Sequence, residues 1–310
     1  MVFLGLDVGG SKCRFEWWPV GSGIGGDAAS VQPAVHGIEA TVEGMIAALR
    51  QATRVATPTA AVCALAGAGD AKTREALVAG VRAGGVAFPL AVVGDVVAAA
   101  AAGLADGPAV LVWSGTGSFA IARAANGELH RVGGRGYLLG DQGSAYDFVR
   151  RAAAAALLAV DGLGPTTALT AALTAAFAAP APERLGAVLQ RLSPGEVAAK
   201  LPVVLATAAA GDMVAKAVFA DGVEALAMLA AAAVRQAGLT STALPVAFGG
   251  GVLTEAAAIA EALSVRLQAV GARAPRVIAP RGAAQAAAWL AHGWHHRLSP
   301  QYEWVNRVAL

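Results

Sequence analysis

The segment from Val110 to Ser118 reads VLVWSGTGS, and it decides the predicted fold. A short apolar run that ends in glycine, threonine, glycine and serine is typical of a buried strand that enters a tight turn. Gly115 and Gly117 lack a Cβ, so the backbone can turn sharply and aim successive amides at an oxyanion. Further donors are the hydroxyls of Ser114, Thr116 and Ser118. Taken alone, the segment fits either an ordinary hairpin turn or a phosphate-binding turn.

Two more glycine-rich turns follow strand-like runs elsewhere in the chain. They are VFLGLDVGGSK from Val2 to Lys12 and PVAFGGGVL from Pro245 to Leu253. The residues after the first turn, CRFEWW, favour a strand, so this turn joins two strands. A P-loop or a dinucleotide fingerprint would open a helix instead, and both are therefore excluded. We predict that phosphates are held by a hairpin.

Asp7 stands just before the first turn, in an otherwise apolar strand. An uncompensated charge there would be costly, so the carboxylate needs a partner. A hydrated Mg²⁺ carried by a nucleotide would suit it, because magnesium keeps most of its waters and accepts one or two carboxylates. The alternative is a carboxylate that accepts the amides of its own turn. Lys12 either contacts phosphate or points to solvent.

Composition places the chain among folded globular proteins. It has 310 residues, of which 56% are hydrophobic, enough for one large or two ordinary domains. The mean hydropathy of +0.58 comes largely from alanine. Unbroken apolar runs such as Val96 to Ala102 are too short to cross a bilayer, so no membrane span is predicted. The sequence begins with a strand and without a basic leader, and we expect a cytoplasmic protein.

Charge and cysteine content narrow the classes further. The formal net charge is +2 with interspersed signs, so nucleic acid is not an expected partner. The two cysteines, Cys13 and Cys63, lie inside apolar runs and are predicted to be buried thiols. The histidines at 292, 295 and 296 have no accompanying cysteine or carboxylate, which indicates a solvated helix end and not a metal site.

Strands and helices alternate along the first third of the chain, which predicts an α/β layer architecture. Strands are expected at 28–35, 59–66 and 87–93, with helices at 38–54 and 71–83. Asp95 follows the last of these strands and precedes an alanine-rich helix. It could be the helix N-cap, or a general base aimed at the ligand cleft outside the strand ends.

The densest glycine and polar cluster is GGRGYLLGDQGSAYDFVRR, from Gly133 to Arg151. So many glycines indicate backbone packed close to another group. Asp141 and Ser144 precede a predicted helix and could both be capping residues. A carboxylate in a glycine-lined pocket would equally suit sugar hydroxyls. The region from Ala152 to Gly238 is predicted to be helical and shows no catalytic motif.

The order of these motifs is more specific than any one of them. An aspartate before GGSK, a strand-end aspartate, a second glycine turn and a late GGG turn resemble the phosphate-1, catalytic, phosphate-2 and adenosine motifs of the sugar kinase, heat-shock protein 70 and actin superfamily. GGRGYLLGDQGS resembles the GGWGxxxGDEGS signature of N-acetylglucosamine kinases and the related BadF/BadG/BcrA/BcrD ATPase family. That resemblance implies two ribonuclease-H-like (actin-like ATPase) domains with an interdomain cleft. It implies a first domain of residues 1–108 plus 282–310 and a second of 109–281.

The resemblance also implies an ATP-dependent kinase that acts on an amino sugar, N-acetylglucosamine or glucosamine. Asp7 would hold Mg²⁺ through water, Asp95 would take the proton of the sugar hydroxyl, and Asp141 and Gly134 would bind the sugar. ATP would be bound by Gly9, Gly10, Ser11, Lys12, Gly115, Thr116, Gly117, Gly249, Gly250 and Gly251. We also expect a homodimer.

Three positions depart from the family pattern. Arg135 replaces the tryptophan of the signature and Gln142 its glutamate, so the sugar preference is expected to differ. The asparagine that these kinases present before their first helix is missing, and only Gln32 or His36 could replace it. Two alternatives are an activator ATPase with an iron–sulfur cluster held by paired cysteines, and a catalytically silent sugar sensor.

Overall fold

Two five-stranded sheets organise the chain, one in each of two units. The computed structural model describes residues 1–9, 12–54, 56–104, 107–240, 243–279, 282–298 and 304–306. Unit 1 comprises residues 1–106 and 278–310, and unit 2 comprises residues 107–277.

Unit 1 has its sheet in the order β3-β2-β1-β4-β5. Strand β1 pairs antiparallel with β2 and parallel with β4, which pairs parallel with β5. The strands are β1 (Phe3–Val8), β2 (Cys13–Trp18), β3 (Gly26–Ala28), β4 (Ala60–Leu65) and β5 (Leu90–Gly94). The helices are α1 (Pro33–Ala52), α2 (Ala71–Ala83), α3 (Asp95–Gly103) and, later in the chain, α12 (Gly282–His295).

The strand expected at 28–35 is wrong. The short β3, which pairs with β2, ends at Ala28, residues 29–32 form no regular element, and α1 begins at Pro33. Proline has no amide hydrogen for a sheet, and its fixed φ suits the first turn of a helix, so Pro33 favours the helix over a longer strand.

Helix α12 returns to unit 1 and packs on its sheet. Its buried face is made almost wholly of alanine, with Ala284, Ala287 and Ala288 fully buried. A Cβ on Gly5 of β1 would overlap the backbone of Ala284 and Ala288. Small residues on both partners therefore allow the helix to lie directly on the central strand.

The C-terminal histidines pack around the aromatic ring of Phe3. The His292 ring meets the Phe3 ring edge-on, with centroids 5.1 Å apart, and His295 and His296 contact the same phenylalanine. His295 and His296 are exposed. The histidines therefore pack over the start of β1, at the end of α12 that is open to solvent.

Unit 2 repeats the sheet topology of unit 1, in the order β10-β9-β6-β7-β8. Strand β6 pairs antiparallel with β7 and parallel with β9. The strands are β6 (Ala109–Ser114), β7 (Ser118–Arg123), β8 (Leu129–Gly133), β9 (Val246–Gly249) and β10 (Arg276–Val277). A hairpin followed by parallel strands in both units is the ribonuclease-H-like α/β arrangement that the sequence predicted.

Helices fill the rest of unit 2 and bury its sheet. They are α4 (Ala145–Val160), α5 (Leu169–Ala176), α6 (Leu185–Leu189), α7 (Pro194–Ala198), α8 (Leu201–Ala209), α9 (Met213–Gln236), α10 (Gly251–Glu255) and α11 (Ala257–Gln268), with a 3₁₀ turn at Pro182–Arg184. Phe148 of α4, Leu226 of α9 and Phe248 of β9 are fully buried in one core.

Among the described residues, α9 is the one helix whose length and composition would allow it to cross a membrane. Lys216, Asp221 and Glu224 interrupt this helix, so the sequence contains no long unbroken apolar run there. One face of α9, including Val223, Leu226 and Ala230, packs in the core of unit 2.

Candidate active site

Asp7 lies near the carboxyl end of β1, where its neighbours in register are Arg14 on β2 and Ala64 on β4. Burial and, to a smaller extent, the negative charge of Asp95 raise the pKa of Asp7 to about 7, although the charge of Arg14 acts in the opposite direction. The carboxyl group is thus held where its ionised form is disfavoured. A cation beside it would restore the charge.

Asp95 is the first residue of α3, directly after β5, and Gly94 occupies the N-cap position. The interpretation of Asp95 as the N-cap is therefore wrong, although one carboxylate oxygen accepts the amide of Val96 at 3.0 Å. Because β1, β4 and β5 are parallel and β4 lies between the other two, Asp7 and Asp95 lie at the same edge of the sheet, close enough for the charge of Asp95 to raise the pKa of Asp7. These two carboxylates lie at the carboxyl ends of parallel strands, which is the edge where open α/β sheets bind their ligands.

The first glycine turn is anchored through the backbone of Gly9. Its amide donates to the Lys12 carbonyl at 2.9 Å. Its carbonyl accepts the Ser30 hydroxyl at 2.5 Å and the Gln32 side-chain amide at 2.7 Å. The side chain of Lys12 is exposed, and the predicted phosphate ligands Gly10 and Ser11 lie outside the described residues.

Gln32, one of the two candidate substitutes for the sugar-binding asparagine, therefore supports the first glycine turn in this structure. His36 contacts the backbone of Gln32, with Nδ1 3.1 Å from its amide nitrogen. Ser30 was not singled out from the sequence. Its hydroxyl reaches Gly9 across 21 residues of chain, and no local pattern signals such a contact.

The second glycine turn closes the β6–β7 hairpin in unit 2. The hydroxyl of Ser114 donates to the Gly143 carbonyl at 2.8 Å, and that of Ser118 donates to the Gln142 carbonyl at 2.7 Å. The expectation that these two hydroxyls face an oxyanion is wrong, because both side chains are buried and bind the loop before α4. Thr116 keeps its partly exposed position at the tip of the turn.

Backbone bonds also use part of this turn. The amide of Gly115 donates to the Gly117 carbonyl at 2.8 Å, and the Gly115 carbonyl accepts the amide of Ala145. The amides of Thr116 and Gly117 have no hydrogen-bond partner within the described part of the chain. These two amides and the Thr116 hydroxyl are therefore the donors that the turn offers to a ligand.

Asp141 lies directly beneath this turn. It is 8% exposed, adopts a left-handed backbone with φ of 57°, and accepts the backbone amides of Ser118 and Gly136. A Cβ on Gly117 would lie 2.9 Å from its Oδ2 atom, which explains the glycine there. Burial raises the pKa of Asp141 although both amides and Arg131 lower it.

The residues around Asp141 divide into anchors and exposed positions. Ser144 is the N-cap of α4 and accepts the amide of Asp147, so of the two residues considered for capping only Ser144 has that role. Gly134 donates its amide to the Ser118 carbonyl at 2.8 Å, and its carbonyl accepts Arg131 at 3.1 Å. Arg135 is exposed, whereas Gln142 donates to the Leu139 carbonyl.

Asp147 is a site residue that the sequence analysis missed. It is 3% exposed, accepts the amide of Gly143, and pairs with Arg150 and Arg151 at 2.8 Å each. The spacing of an acid three and four residues before two arginines on a helix could have signalled the pairing. The bond to Gly143 fixes the loop that Ser114 also holds.

The third glycine turn packs against the second. Gly250 has φ of 84°, and a Cβ there would overlap the backbone of Ser114. Gly249 ends β9, and Gly251 begins the short helix α10. Strands β6 and β9 are parallel neighbours, so both turns leave the same edge of the unit 2 sheet. The structure thus brings 115–117, 249–251 and Asp141 together in unit 2, and Asp7, Gly9 and Asp95 together in unit 1.

Comparison with known proteins agrees with this arrangement. A family model described as the BadF/BadG/BcrA/BcrD ATPase family matches residues 4–290. This chain belongs to that family. A curated relative, the N-acetylmuramic acid/N-acetylglucosamine kinase of Clostridium acetobutylicum, is 29% identical over 196 residues. The match covers 62% of this chain and 64% of that relative.

Solved structures show the same fold. A proposed N-acetylglucosamine kinase from Chromobacterium violaceum superimposes with a TM-score of 0.73 at 24% identity, over 92% of this chain and 98% of that one. A Streptomyces griseus ROK family glucokinase, solved with glucose and AMPPNP, gives 0.62 at 19% identity over 94% and 99%. At these identities the likeness concerns the two-domain α/β fold.

The raised pKa of Asp7 predicts an unusual pH dependence of stability in magnesium-free buffer. The carboxyl loses its proton near 3.8 when unfolded and near 7 when folded, so the folded state binds the proton more tightly between these values. Stability conferred by Asp7 therefore falls as pH rises through this window. We expect Asp7→Asn to remove this decline. The free energy of unfolding of the variant, minus that of the natural chain, should be larger at pH 8 than at pH 4 by on the order of 1–3 kcal/mol.

Urea unfolding followed by tryptophan fluorescence would measure this, since all tryptophans except Trp113 lie in unit 1. Asp70→Asn is the matched control. Asp70 is an exposed N-cap of α2 whose pKa is lowered by its bond to Thr73, so its replacement should give no gain at pH 8. An Asp7→Asn profile parallel to that of the natural chain would contradict the prediction.

Proposed function

We propose that this protein is an ATP-dependent kinase that transfers the γ-phosphoryl group to a hydroxyl of an amino sugar, with N-acetylglucosamine or glucosamine as the preferred class. The observation that carries the proposal is the pair formed by Asp7 and Asp95 at the carboxyl edge of the unit 1 sheet. The names of the curated relative and of the structural neighbours support the substrate class. We infer that it acts in the cytoplasm.

Asp95 is proposed to orient the sugar hydroxyl and to accept its proton. As the oxygen of that hydroxyl bonds to the γ-phosphorus, the bond to the β–γ bridging oxygen breaks and ADP leaves. Phosphoryl transfer relies on such positioning and on charge stabilisation more than on covalent chemistry by the protein. The partly exposed carboxylate of Asp95 at the start of α3 suits that role.

Asp7 is proposed to hold Mg²⁺ through water. No cluster of three or more His, Cys, Asp or Glu side chains suited to a metal occurs in the described residues, so a cage made by protein alone is not the fitting arrangement. A hydrated ion on one carboxylate and nucleotide phosphates fits better. Magnesium, when bound, would neutralise phosphate charge, and it would also keep Asp7 ionised despite its burial.

ATP is proposed to contact the three glycine turns. In unit 2 the amides of Thr116 and Gly117 would receive phosphate oxygens, and Gly249 to Gly251 would lie under the adenosine. In unit 1 the Gly9 turn would contact the β- and γ-phosphates, with Lys12 beside them.

The sugar is proposed to bind at Asp141. A carboxylate has about four acceptor positions, and the amides of Ser118 and Gly136 use two, which leaves capacity for sugar hydroxyls. Gly134 would contribute through shape, because its own amide and carbonyl are already bonded. The exposed Arg135 is proposed to alter the choice among N-acylated and free amino sugars.

The cysteines give little support to the activator alternative. Cys13 on β2 and Cys63 on β4 are buried on either side of β1, and burial raises the pKa of both thiols, that of Cys13 to about 12. Thiols that resist ionisation are poor ligands for an iron–sulfur cluster shared between subunits.

A coupled Mg²⁺–ATP assay tests the proposal. The panel comprises glucosamine, N-acetylglucosamine, N-acetylmannosamine, N-acetylmuramic acid and glucose. We expect one amino sugar to stimulate ADP release well above the others. If no sugar of the panel raised ADP release above the rate without sugar, the kinase assignment would be contradicted. A preference for glucose would contradict the proposed substrate class.

A further inference from the structure

Unit 2 carries an open apolar groove away from its glycine turns. Its volume is about 460 Å³, and it lies between α9 and α11 over the starts of β6 and β9. Apart from Glu224, Arg235 and Arg266, the residues that line this α9–α11 groove are apolar. Val110 and Val246, which line its floor, are register partners at the amino ends of their strands. The groove is therefore at the opposite end of these strands from residues 115–117 and 249–251.

Helix α9 is strongly apolar but only partly buried. In its most apolar stretch of 18 residues, mean hydropathy reaches 1.8, yet only 39% of that stretch is buried. Met228 is 64% exposed at the groove, and Val270 of the opposite wall is 61% exposed. Contiguous exposed apolar surface rimmed by charge marks an interaction site.

One stripe of α9 carries a negative charge near one end and a positive charge near the other, so two antiparallel copies of it would be complementary in charge. Glu224, Met228, Ala231 and Arg235 all line the groove at intervals of four, three and four residues, which places them on one stripe of the helix. The two charges are eleven residues apart, or about 16 Å along the axis. If two such helices pack antiparallel, each Glu224 faces the partner's Arg235, and Met228 faces the partner's Ala231.

The neighbouring ion pairs are compatible with this arrangement. Glu224 already accepts Arg266 at 2.7 and 3.0 Å, and a carboxylate can accept a second cation at its remaining positions. Arg235 has no ion pair within the described part of the chain. A partner's Glu224 would supply one.

We propose that the α9–α11 groove is the contact surface between two copies of this chain, related by a two-fold axis that crosses α9 between Met228 and Ala231. Each Met228 enters the groove of the other copy. A two-fold contact uses the same patch on both subunits, which is what a stripe with opposite charges at its two ends allows. This inference stands independently of the kinase proposal.

Sedimentation equilibrium of the full chain tests the surface. We expect a dimer whose dissociation constant rises at least a hundredfold in Met228→Glu, because two charges would then be forced into apolar surface. Leu163→Glu is the matched control, since Leu163 is also apolar and exposed, at 77%, but lies in the loop after α4. The proposal would be overturned if the natural chain remained a monomer at 100-fold the concentration used in the coupled kinase assay. It would also be overturned if Met228→Glu formed a dimer as stable as that of the natural chain.

Disulfide trapping tests the antiparallel register. Under mild oxidation, a mixture of Glu224→Cys and Arg235→Cys chains should form a covalent heterodimer, whereas each variant alone should not cross-link. The natural cysteines are both buried, so they do not compete. Cross-linking of Glu224→Cys with itself would overturn the antiparallel arrangement. Circular dichroism of each variant separates loss of dimer from loss of fold.

Discussion

Asp95→Asn is expected to lower kcat for sugar phosphorylation by about 10²–10⁴-fold, the range of a positioned general base, while KM for ATP changes little. The amide of asparagine has nearly the size of the carboxylate, and its oxygen can still accept the Val96 amide that Asp95 accepts at 3.0 Å. The variant should therefore fold normally. What it loses is the negative charge that would take the proton and orient the sugar hydroxyl.

Asp70→Asn is a close control for this experiment. Asp70 also follows a parallel strand of unit 1 and starts a helix, but it caps α2 by accepting the amide of Thr73 at 2.8 Å. Asparagine caps helices about as well as aspartate, so activity and stability should both stay near those of the natural chain. Initial rates with the best sugar of the panel, with ATP varied, would measure both variants.

Separate values of kcat and of KM for ATP distinguish a role of Asp95 as the base from a role in nucleotide binding. If Asp95→Asn kept turnover within tenfold of the natural chain, Asp95 would not be the base. If KM for ATP rose while kcat stayed unchanged, Asp95 would instead contribute to nucleotide binding. A second consequence follows for Asp7, because the charge of Asp95 raises the pKa of Asp7. In the Asp95→Asn variant, Asp7 should therefore titrate at lower pH.

The sequence was sufficient for the motifs whose chemistry is local. The strand before SGTGS, the hairpin between Asp7 and CRFEWW, and helix 71–83 were all predicted from patterns over a few residues, and the structure confirms them. Asp95 could be placed at the start of a helix from sequence, but its interpretation as the N-cap could be excluded only by the structure, in which Gly94 takes that position.

Other parts of the site depend on long-range contacts that no local pattern encodes. The hydroxyls of Ser114 and Ser118 were expected to face a ligand, yet they bind carbonyls 24 to 29 residues further along the chain. Gln32 binds the carbonyl of Gly9 across 23 residues. In each case a polar side chain that becomes partly or fully buried must find a partner, and the nearest carbonyl is supplied by the tertiary fold.

Gly5→Ala is the prediction with the largest expected effect on stability. Gly5 lies in the middle of β1, and a Cβ there would overlap the backbone of Ala284 and Ala288 in α12. Backbone atoms cannot move aside as a flexible side chain can, so α12 would have to shift away from the sheet. We expect a loss of about 3 kcal/mol or more, at the upper end of overpacking effects.

Gly186→Ala is the matched control, because its Cβ would meet only Leu157 at 3.6 Å and its backbone is helical. Alanine favours a helix over glycine, so this variant should be unchanged or slightly more stable. Thermal unfolding would compare the two, with an expected decrease of roughly 6–12 °C for Gly5→Ala, at about 2–4 °C per kcal/mol for a domain of this size. A melting temperature equal to that of the natural chain would show that α12 does not rest directly on β1. Helix α12 comes from the far end of the chain and packs on the sheet that carries Asp7 and Asp95. Displacement of α12 in Gly5→Ala should therefore also disturb the positions of these two carboxylates, so ATP turnover should fall together with the melting temperature.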